Sequence, residues 1–335
     1  MSLDYLHRSF IRGRPRSAMS VMASLPQNNV ATLTTPAFLN SPNIYNSDSF
    51  WSSAPLDQNL NQTQLNNAWD GTRNGGDFAS ENQRARCRFV NFNGRICWRQ
   101  KIEEHTTGVD QGAAQVIKEF APQDEAYSAA FLYFPQWYPR PPTQKMAGGL
   151  GGGPDPQTAS LSYTGRDGFS SRFLINPHSP DGDSLMPDNA FNENLFKDRK
   201  NDGTPEDEIS LDDAGGNFQV LNGVWALVMN RVKVNTVGFD NGISECWMGM
   251  ESRPGAADWF DASNVHSFRK QSSVSNRRIL VSGGTCPGVE YYYHAAHVGG
   301  TGRKFRMAGA PAGLEHFFLT GGVYVGTSQI FAEAA

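Results

Sequence analysis

Short apolar segments separated by turn residues dominate the chain from Arg84 to its C-terminus. Each segment holds roughly four to eight apolar residues closed by Gly, Asn, Asp or Pro, which is the length of a β-strand. The clearest hairpin signal is Asn93-Gly94, which separates two such segments. Because no amphipathic helices alternate with these strands, the pattern predicts an all-β protein, a β-jelly roll or two-sheet sandwich.

Two stretches are less regular. The segment 112–122 reads as a short helix or strand that ends at Pro122. Between the apolar runs of residues 129–175, the glycine-rich stretch that runs to Gly153 is predicted to be a bend that carries Lys145. The order of residues around Lys145 is not that of a phosphate-binding P-loop.

The composition suggests two regions. Residues 1–75 form an irregular extension that is first basic and then polar, and residues 76–335 form the predicted jelly-roll domain with an acidic insertion at 178–216. From Asp181 to Asp213 eleven acidic residues stand against three basic ones, a charge of −8. Since the whole chain carries −4, the remainder carries +4 and suits an anionic ligand. The net negative charge makes nucleic acid an unlikely partner.

The N-terminus carries an excess of positive charge, with Asp4 as the only acid in its first 25 residues. It is either a basic arm for self-assembly, particle contact or targeting, or a solvated tail. The chain has neither the apolar core of a signal peptide nor a run long enough to span a bilayer. Association with a virion or non-classical release is therefore favoured over classical secretion. The basic residues and the histidine are His7, Arg8, Arg12, Arg14 and Arg16.

Cysteine and acidic residues give few signals of metal binding. Cys87 and Cys97 flank the predicted hairpin and could form a disulfide or remain buried thiols. No cysteine–histidine spacing suggests zinc. The segment from Asp198 to Ile209 is faintly similar to a calcium loop, but Lys200 and Ile209 break that pattern. No metal site and no cofactor are predicted.

Residues 169–176 alternate in a way that suggests a binding surface. In a strand Ser170 and Arg172 share one face, which continues to Asn176 and His178, while Ser171 and its odd-numbered neighbours face the other way. A polar face opposite an apolar face is typical of a ligand-binding sheet. An ordinary solvent-exposed face shows the same alternation, and alternation alone favours that second interpretation.

Several short motifs follow one another over roughly residues 127–326. They are Tyr133-Phe134-Pro135 with Trp137, Lys145 to Gly152, Gly168 to Arg172, Gly223-Val224-Trp225, Val234-Asn235-Thr236, Asp240-Asn241-Gly242 with Trp247, and Val298-Gly299-Gly300. In content and order these motifs resemble polysaccharide lyase family 14, whose members include alginate and glucuronan lyases.

This resemblance implies a jelly roll that cleaves a uronic-acid polymer by β-elimination. Lys145 and Arg172 would neutralise the uronate carboxylate and Ser170 would donate a hydrogen bond to it. The family keeps tyrosines for acid–base work after the Ser-x-Arg element, whereas residues 184–188 contain none. Tyr163, His178 and the run Tyr291–His294 are therefore the substitute acid–base candidates, although three consecutive tyrosines are more typical of core and sheet surface. The predicted substrate-binding residues are Trp137, Tyr138, Asn176, Tyr291 and Trp247.

Three functions remain open from the sequence. The first is a lyase acting on an anionic polysaccharide, which Lys145, Ser170 and Arg172 favour. The second is a non-catalytic protein that binds glycans through the same face. The third is a structural or virion jelly-roll protein that assembles through its basic arm. The absence of the family's tyrosines favours the second and third.

Overall fold

The computed structural model describes residues 33, 35–40, 44–71, 86–102, 116–135, 144–153, 169–176, 184–186, 218–219, 222–277, 279–280, 283–294, 297–298 and 316–327. These residues form fifteen strands, a 3-10 turn at Ala37–Asn40 and two short helices, α1 (Ser47–Trp51) and α2 (Gln62–Ala68). Neither helix is long and apolar enough to cross a membrane.

The strands in chain order are β1 (Tyr45–Asn46), β2 (Cys87–Phe92), β3 (Arg95–Ile102), β4 (Val116–Gln123), β5 (Glu125–Tyr133), β6 (Gln144–Gly152), β7 (Phe169–Asn176), β8 (Ser184–Met186), β9 (Phe218–Gln219), β10 (Trp225–Lys233), β11 (Gly242–Met250), β12 (Arg269–Arg277), β13 (Val289–His294), β14 (His297–Val298) and β15 (His316–Gly326).

The strands form two antiparallel sheets. The first has the order β12-β11-β10-β5-β15-β3-β2, with β1 added to β15, and the second has the order β4-β13-β6-β7-β8-β9, with β14 added to β6. The sheets pack face to face through β5 and β10 of the first and β6, β7 and β13 of the second. The predicted all-β two-sheet sandwich is confirmed.

Strict alternation along the central strands separates two apolar layers. On β5, Ala130 and Leu132 face the core between the sheets, while Phe131 and Tyr133 belong to a second cluster on the outer face of the first sheet. Trp259 packs on Phe131 at 5.6 Å between ring centroids. The first sheet is therefore apolar on both faces, which explains why its central strands read as continuous apolar runs.

The N-terminal segment contributes to the core between the sheets. Helix α2 begins with a capping box in which the side chains of Asn61 and Gln64 each accept a hydrogen bond from the other's backbone N–H. Trp51 and Trp69 are buried and pack against Trp98 of β3, with ring centroids 6.4 and 5.1 Å away. The predicted domain boundary at residue 75 and the basic arm of residues 1–25 lie outside the described residues.

Two local predictions were wrong. Residues 144–152 form the strand β6, although their glycines predicted a bend. Glycines are present in this strand because its neighbours leave no room for side chains there. The strand β4 continues through Pro122, which the sequence predicted as its end. Proline is tolerated at this position because β4 is an outer strand of its sheet and pairs irregularly with β13 near this point.

The hairpin of β2 and β3 decides the state of its cysteines. Asn93 and Gly94 both have positive φ, as the predicted two-residue turn requires. Cys87 pairs with Gln100 and belongs to the core between the sheets, whereas Cys97 pairs with Val90 in the outer cluster. Because the two thiols are on opposite faces of the hairpin, the disulfide alternative is excluded, and none of the four cysteines forms a disulfide.

Substitution of Gly152 tests the close approach of β6 to its neighbour. A Cβ atom at Gly152 would overlap the backbone oxygen of Gly288, whereas a Cβ at Gly238 would meet nothing within 4 Å. We expect Gly152→Ala to lower the free energy of unfolding by about 3 kcal/mol or more, and so by more than Gly238→Ala does, because the overlap is with backbone that cannot rotate away. The alanine at 238 adopts a left-handed conformation, which alone costs about 1–2 kcal/mol. Urea denaturation checks this, and equal losses would contradict the packing described.

Candidate functional site

The pairing of β6 with β7 brings three sequence-predicted residues into one part of the second sheet. Lys145 is the cross-strand partner of Leu174, and Gly151 is the partner of Ser170. Phe169, Ser171 and Phe173 are buried in the core between the sheets. Alternation therefore assigns positions 170 and 172 to the outer face of this sheet, and position 145 shares the face of its partner at 174.

A glycine-containing bulge lies in β6 opposite Arg172. Met146 pairs with Phe173 and Leu150 pairs with Ser171, so between these pairs β6 contains two more residues than β7 does. Gly148 in this bulge has φ of +104°, and a Cβ there would lie 2.7 Å from the Phe173 ring. Glycine is required at 148 both by its backbone conformation and by this contact.

Tyr291 lies in the same cross-strand row as Ser170. Its partner on β6 is Gly151, the residue that pairs with Ser170 on β7. The Tyr291 ring occupies the space that a Cβ at Gly151 would need, and its hydroxyl donates a 2.8 Å hydrogen bond to the backbone oxygen of Phe169. Tyr291 is completely buried. Its described contacts tie three strands together, and none of its surface is available to a polysaccharide in this conformation.

A chain of buried polar groups lies behind the bulge, between the two sheets. The backbone N–H of Gly148 donates to the Tyr292 hydroxyl at 3.1 Å, and this hydroxyl lies 3.1 Å from Nδ1 of His294. Nε2 of His294 lies 2.9 Å from Oε1 of Gln100. Because an amide oxygen only accepts, Nε2 carries the proton, so Nδ1 accepts from Tyr292. The Gly148 carbonyl accepts from Ser128 at 2.7 Å.

Burial determines the protonation states of His294 and Tyr292. It lowers the pKa of His294 to about 3, so the imidazole is neutral near pH 7. Burial also raises the pKa of the Tyr292 phenol well above its usual range, although the N–H of Gly148 partly opposes this. Both side chains are fully buried. They support the outer face of the sheet from behind, where a polymeric substrate does not reach.

The remaining predicted site residues fall in different places. Trp137, Tyr138, Tyr163 and His178 lie outside the described residues. Asn176 ends β7, where its backbone pairs with Ser184.

The structure does not bring Trp247 to this site. It faces the outer cluster of the first sheet, so the full thickness of the sandwich separates it from β6 and β7. Trp247 is only 2% exposed, and the Lys270 ammonium lies 5.0 Å from its ring centroid. Lys270 also donates a hydrogen bond to Glu245. Burial would raise the pKa of Glu245, but the hydrogen bonds that its carboxylate accepts from Lys270, Arg231 and Ser273 lower it. The sequence pattern did not reveal which face of the sandwich Trp247 would occupy.

The sequence interpretation missed the polar residues between the sheets. Ser128 and Asn230 stand at inward-facing positions of otherwise apolar strands, and both are buried. A polar residue in phase with the core positions of an apolar run is the signal that could have identified them. Within the described ranges, no group of three His, Cys, Asp or Glu side chains is arranged to hold a metal ion.

Comparison with solved structures finds proteins that have a similar sandwich fold. A double mutant of the alginate lyase Aly36B in complex with alginate tetrasaccharide superposes with a TM-score of 0.55 at 10% identity, over 83% of this chain and 95% of that one. Aly36B itself gives 0.52 at 10% identity, over 82% and 93%. A marine family PL-14 alginate lyase from Aplysia kurodai gives 0.49 at 13% identity, over 86% and 100%.

These similarities concern the fold. The chain matches no protein-family profile and no curated protein sequence. At such low identities the superpositions on Aly36B show a shared sandwich fold, so the predicted resemblance is supported as a lyase-like fold and not as membership of family 14.

Proposed function

We propose that this protein is a polysaccharide lyase that cleaves a uronic-acid polymer of the alginate or glucuronan type. The observation that carries the proposal is the pairing of β6 with β7, in which Lys145, Ser170 and Arg172 occupy neighbouring positions of one sheet. The alginate lyase Aly36B has the same fold over most of this chain. Cationic and hydroxyl residue types at neighbouring positions of one sheet suit a polyanionic sugar chain.

The proposed chemistry is a β-elimination. The proton on C5 of a uronate becomes acidic only when the charge of the adjacent carboxylate is neutralised. Arg172 and Lys145 supply that charge and Ser170 donates a hydrogen bond, so that the enolate-like intermediate is stabilised. A base then removes the C5 proton, and an acid protonates the departing O4 oxygen as a double bond forms between C4 and C5. Tyr163 and His178 are the proposed acid–base residues.

The direct test is to incubate the purified chain with alginate, polyglucuronate and polygalacturonate. We expect ultraviolet absorbance from the C4–C5 unsaturated product to rise with at least one polymer, and mass spectrometry to find fragments lacking one water relative to hydrolysis products. A fragment pattern of simple hydrolysis would contradict the mechanism. Neutral polymers such as cellulose serve as controls, because they offer no carboxylate beside the reacting carbon.

The alternative functions give different results in the same experiment. A non-catalytic glycan-binding protein would bind uronate oligosaccharides in calorimetry without forming any unsaturated product. A structural protein that assembles through its basic arm would show neither, and removal of residues 1–25 would abolish its oligomers while the sandwich stayed folded.

A further inference from the structure

Two polar side chains of the first sheet reach across the core to the second sheet. Ser128 of β5 and Asn230 of β10 are direct cross-strand partners, and both are buried. Ser128 Oγ donates to the backbone oxygen of Gly148 at 2.7 Å, and Asn230 Nδ2 donates to Ser171 Oγ at 2.7 Å. This pair therefore attaches one point of the first sheet to β6 and to β7 simultaneously.

The immediate neighbours of the pair are apolar, so these two bonds act as directional restraints there. Ala126, Ala130 and Val228, which flank the pair on the same face, offer only non-directional contacts. A buried amide is costly unless it is hydrogen-bonded, and Asn230 Oδ1 has no hydrogen-bond partner among the described residues. An apolar side chain of similar size would suit packing alone at position 230, so the asparagine points to a requirement other than stability.

The two attachment points lie directly behind the proposed carboxylate-binding positions. Gly148 belongs to the bulge that faces Arg172, and its N–H and C=O are both turned into the core, to Tyr292 and to Ser128. Ser171 stands between Ser170 and Arg172 on β7. A shift of either strand would therefore move Lys145 relative to the Ser170–Arg172 pair.

We infer that Ser128 and Asn230 are positioning residues. They fix the position of β6 relative to β7, so that Lys145, Ser170 and Arg172 converge on one uronate carboxylate. This inference rests on the proposed lyase function. Its physical basis is that catalysis depends on preorganised charges, and a misplacement of about 1 Å can cost roughly 100-fold in rate.

Three variants test the inference. Ser128→Ala removes one attachment, and Asn230→Leu removes the other with a side chain of the same branching and no unpaired Oδ1. The matched control is Ser47→Ala, because Ser47 is also fully buried and its Oγ accepts a 2.8 Å bond from the N–H of Val323, outside β6 and β7. Denaturation curves establish that all three are folded before kinetics are compared.

We expect Ser128→Ala and Asn230→Leu to lower kcat by roughly 10- to 100-fold, more than they raise KM. Amide hydrogens in 144–150 and 169–174 should exchange faster in these variants than in the wild-type protein. Ser47→Ala should lose stability without either change. If the two core variants keep wild-type kcat and KM and differ only in stability, the inference is overturned.

Hydrogen exchange also separates this inference from the proposed function. If the wild-type chain cleaves none of the uronates, the proposed lyase activity is wrong, and exchange alone decides the placement of the strands. Faster exchange confined to β6 and β7 in both variants then supports the attachment, and unchanged exchange overturns it.

Discussion

Replacement of Arg172 by alanine is expected to lower kcat on the preferred uronate by roughly 100- to 1,000-fold, the usual cost of removing one preorganised group that stabilises developing negative charge. A guanidinium binds a carboxylate through two parallel hydrogen bonds, and its charge is most valuable when the C5 proton leaves and the carboxylate takes up enolate character. The loss should appear mainly in kcat, because the interaction strengthens in the transition state. Initial rates of unsaturated product formation measure it.

Two further variants make this prediction specific. Arg172→Lys keeps the charge but loses the two-pronged geometry, so it should recover only part of the rate. Arg253→Ala removes an arginine from an exposed turn after β11 and should leave turnover unchanged. If Arg172→Ala retained wild-type turnover and binding, the assignment of the site to β7 would be wrong, whatever reaction the protein catalyses.

The second large effect concerns pH, and it arises from His294. Its pKa is about 3 in the folded protein and roughly 6.5 in an unfolded chain. Between these values the unfolded state binds a proton that the folded state excludes, so protonation favours unfolding. The contribution to stability is fully present above about pH 6.5 and is lost as the pH falls, by roughly tenfold in the unfolding equilibrium per pH unit. Over the whole window this approaches about 5 kcal/mol.

Urea denaturation between pH 7.5 and 5.5 measures this dependence in a range where carboxyl groups with ordinary pKa values stay ionised. We expect His294→Asn to be less stable than the wild type at pH 7.5, because its bonds to Tyr292 and Gln100 are altered, yet to lose less stability on acidification. Val237→Ala, a change at an exposed residue that does not titrate, should retain the wild-type slope. An identical slope in His294→Asn would show that His294 is not responsible.

Much of the fold could be predicted from local patterns. The Asn93-Gly94 turn, the apolar runs of β5 and β10 and the alternation in β7 each reflect preferences that a few neighbouring residues express by themselves. The glycines of β6 misled the interpretation, because the same residue type permits a bend or admits a close neighbour. Only the ring of Tyr291 and the carbonyl of Gly288, both distant in sequence, distinguish the two cases.

The candidate site was less predictable than the fold. Lys145, Ser170 and Arg172 were named from motifs, and the register of β6 on β7 gives them neighbouring positions on the backbone. Tyr291 was named as a substrate-binding residue, yet its hydroxyl is bonded within the sheet. Ser128 and Asn230 were not named, since nothing near them in the chain shows that they approach Gly148 and Ser171.

The sequence by itself determined where most of the strands form and which residues alternate within them, because side-chain size, β-branching and turn chemistry act over a few residues. The tertiary structure alone decided that β5 lies between β10 and β15 and that Trp247 faces away from β7. These outcomes depend on pairing and packing between segments far apart in the chain. The free energy of this pairing and packing is gained only when the two sheets close on a shared core, so no local pattern predicts these outcomes.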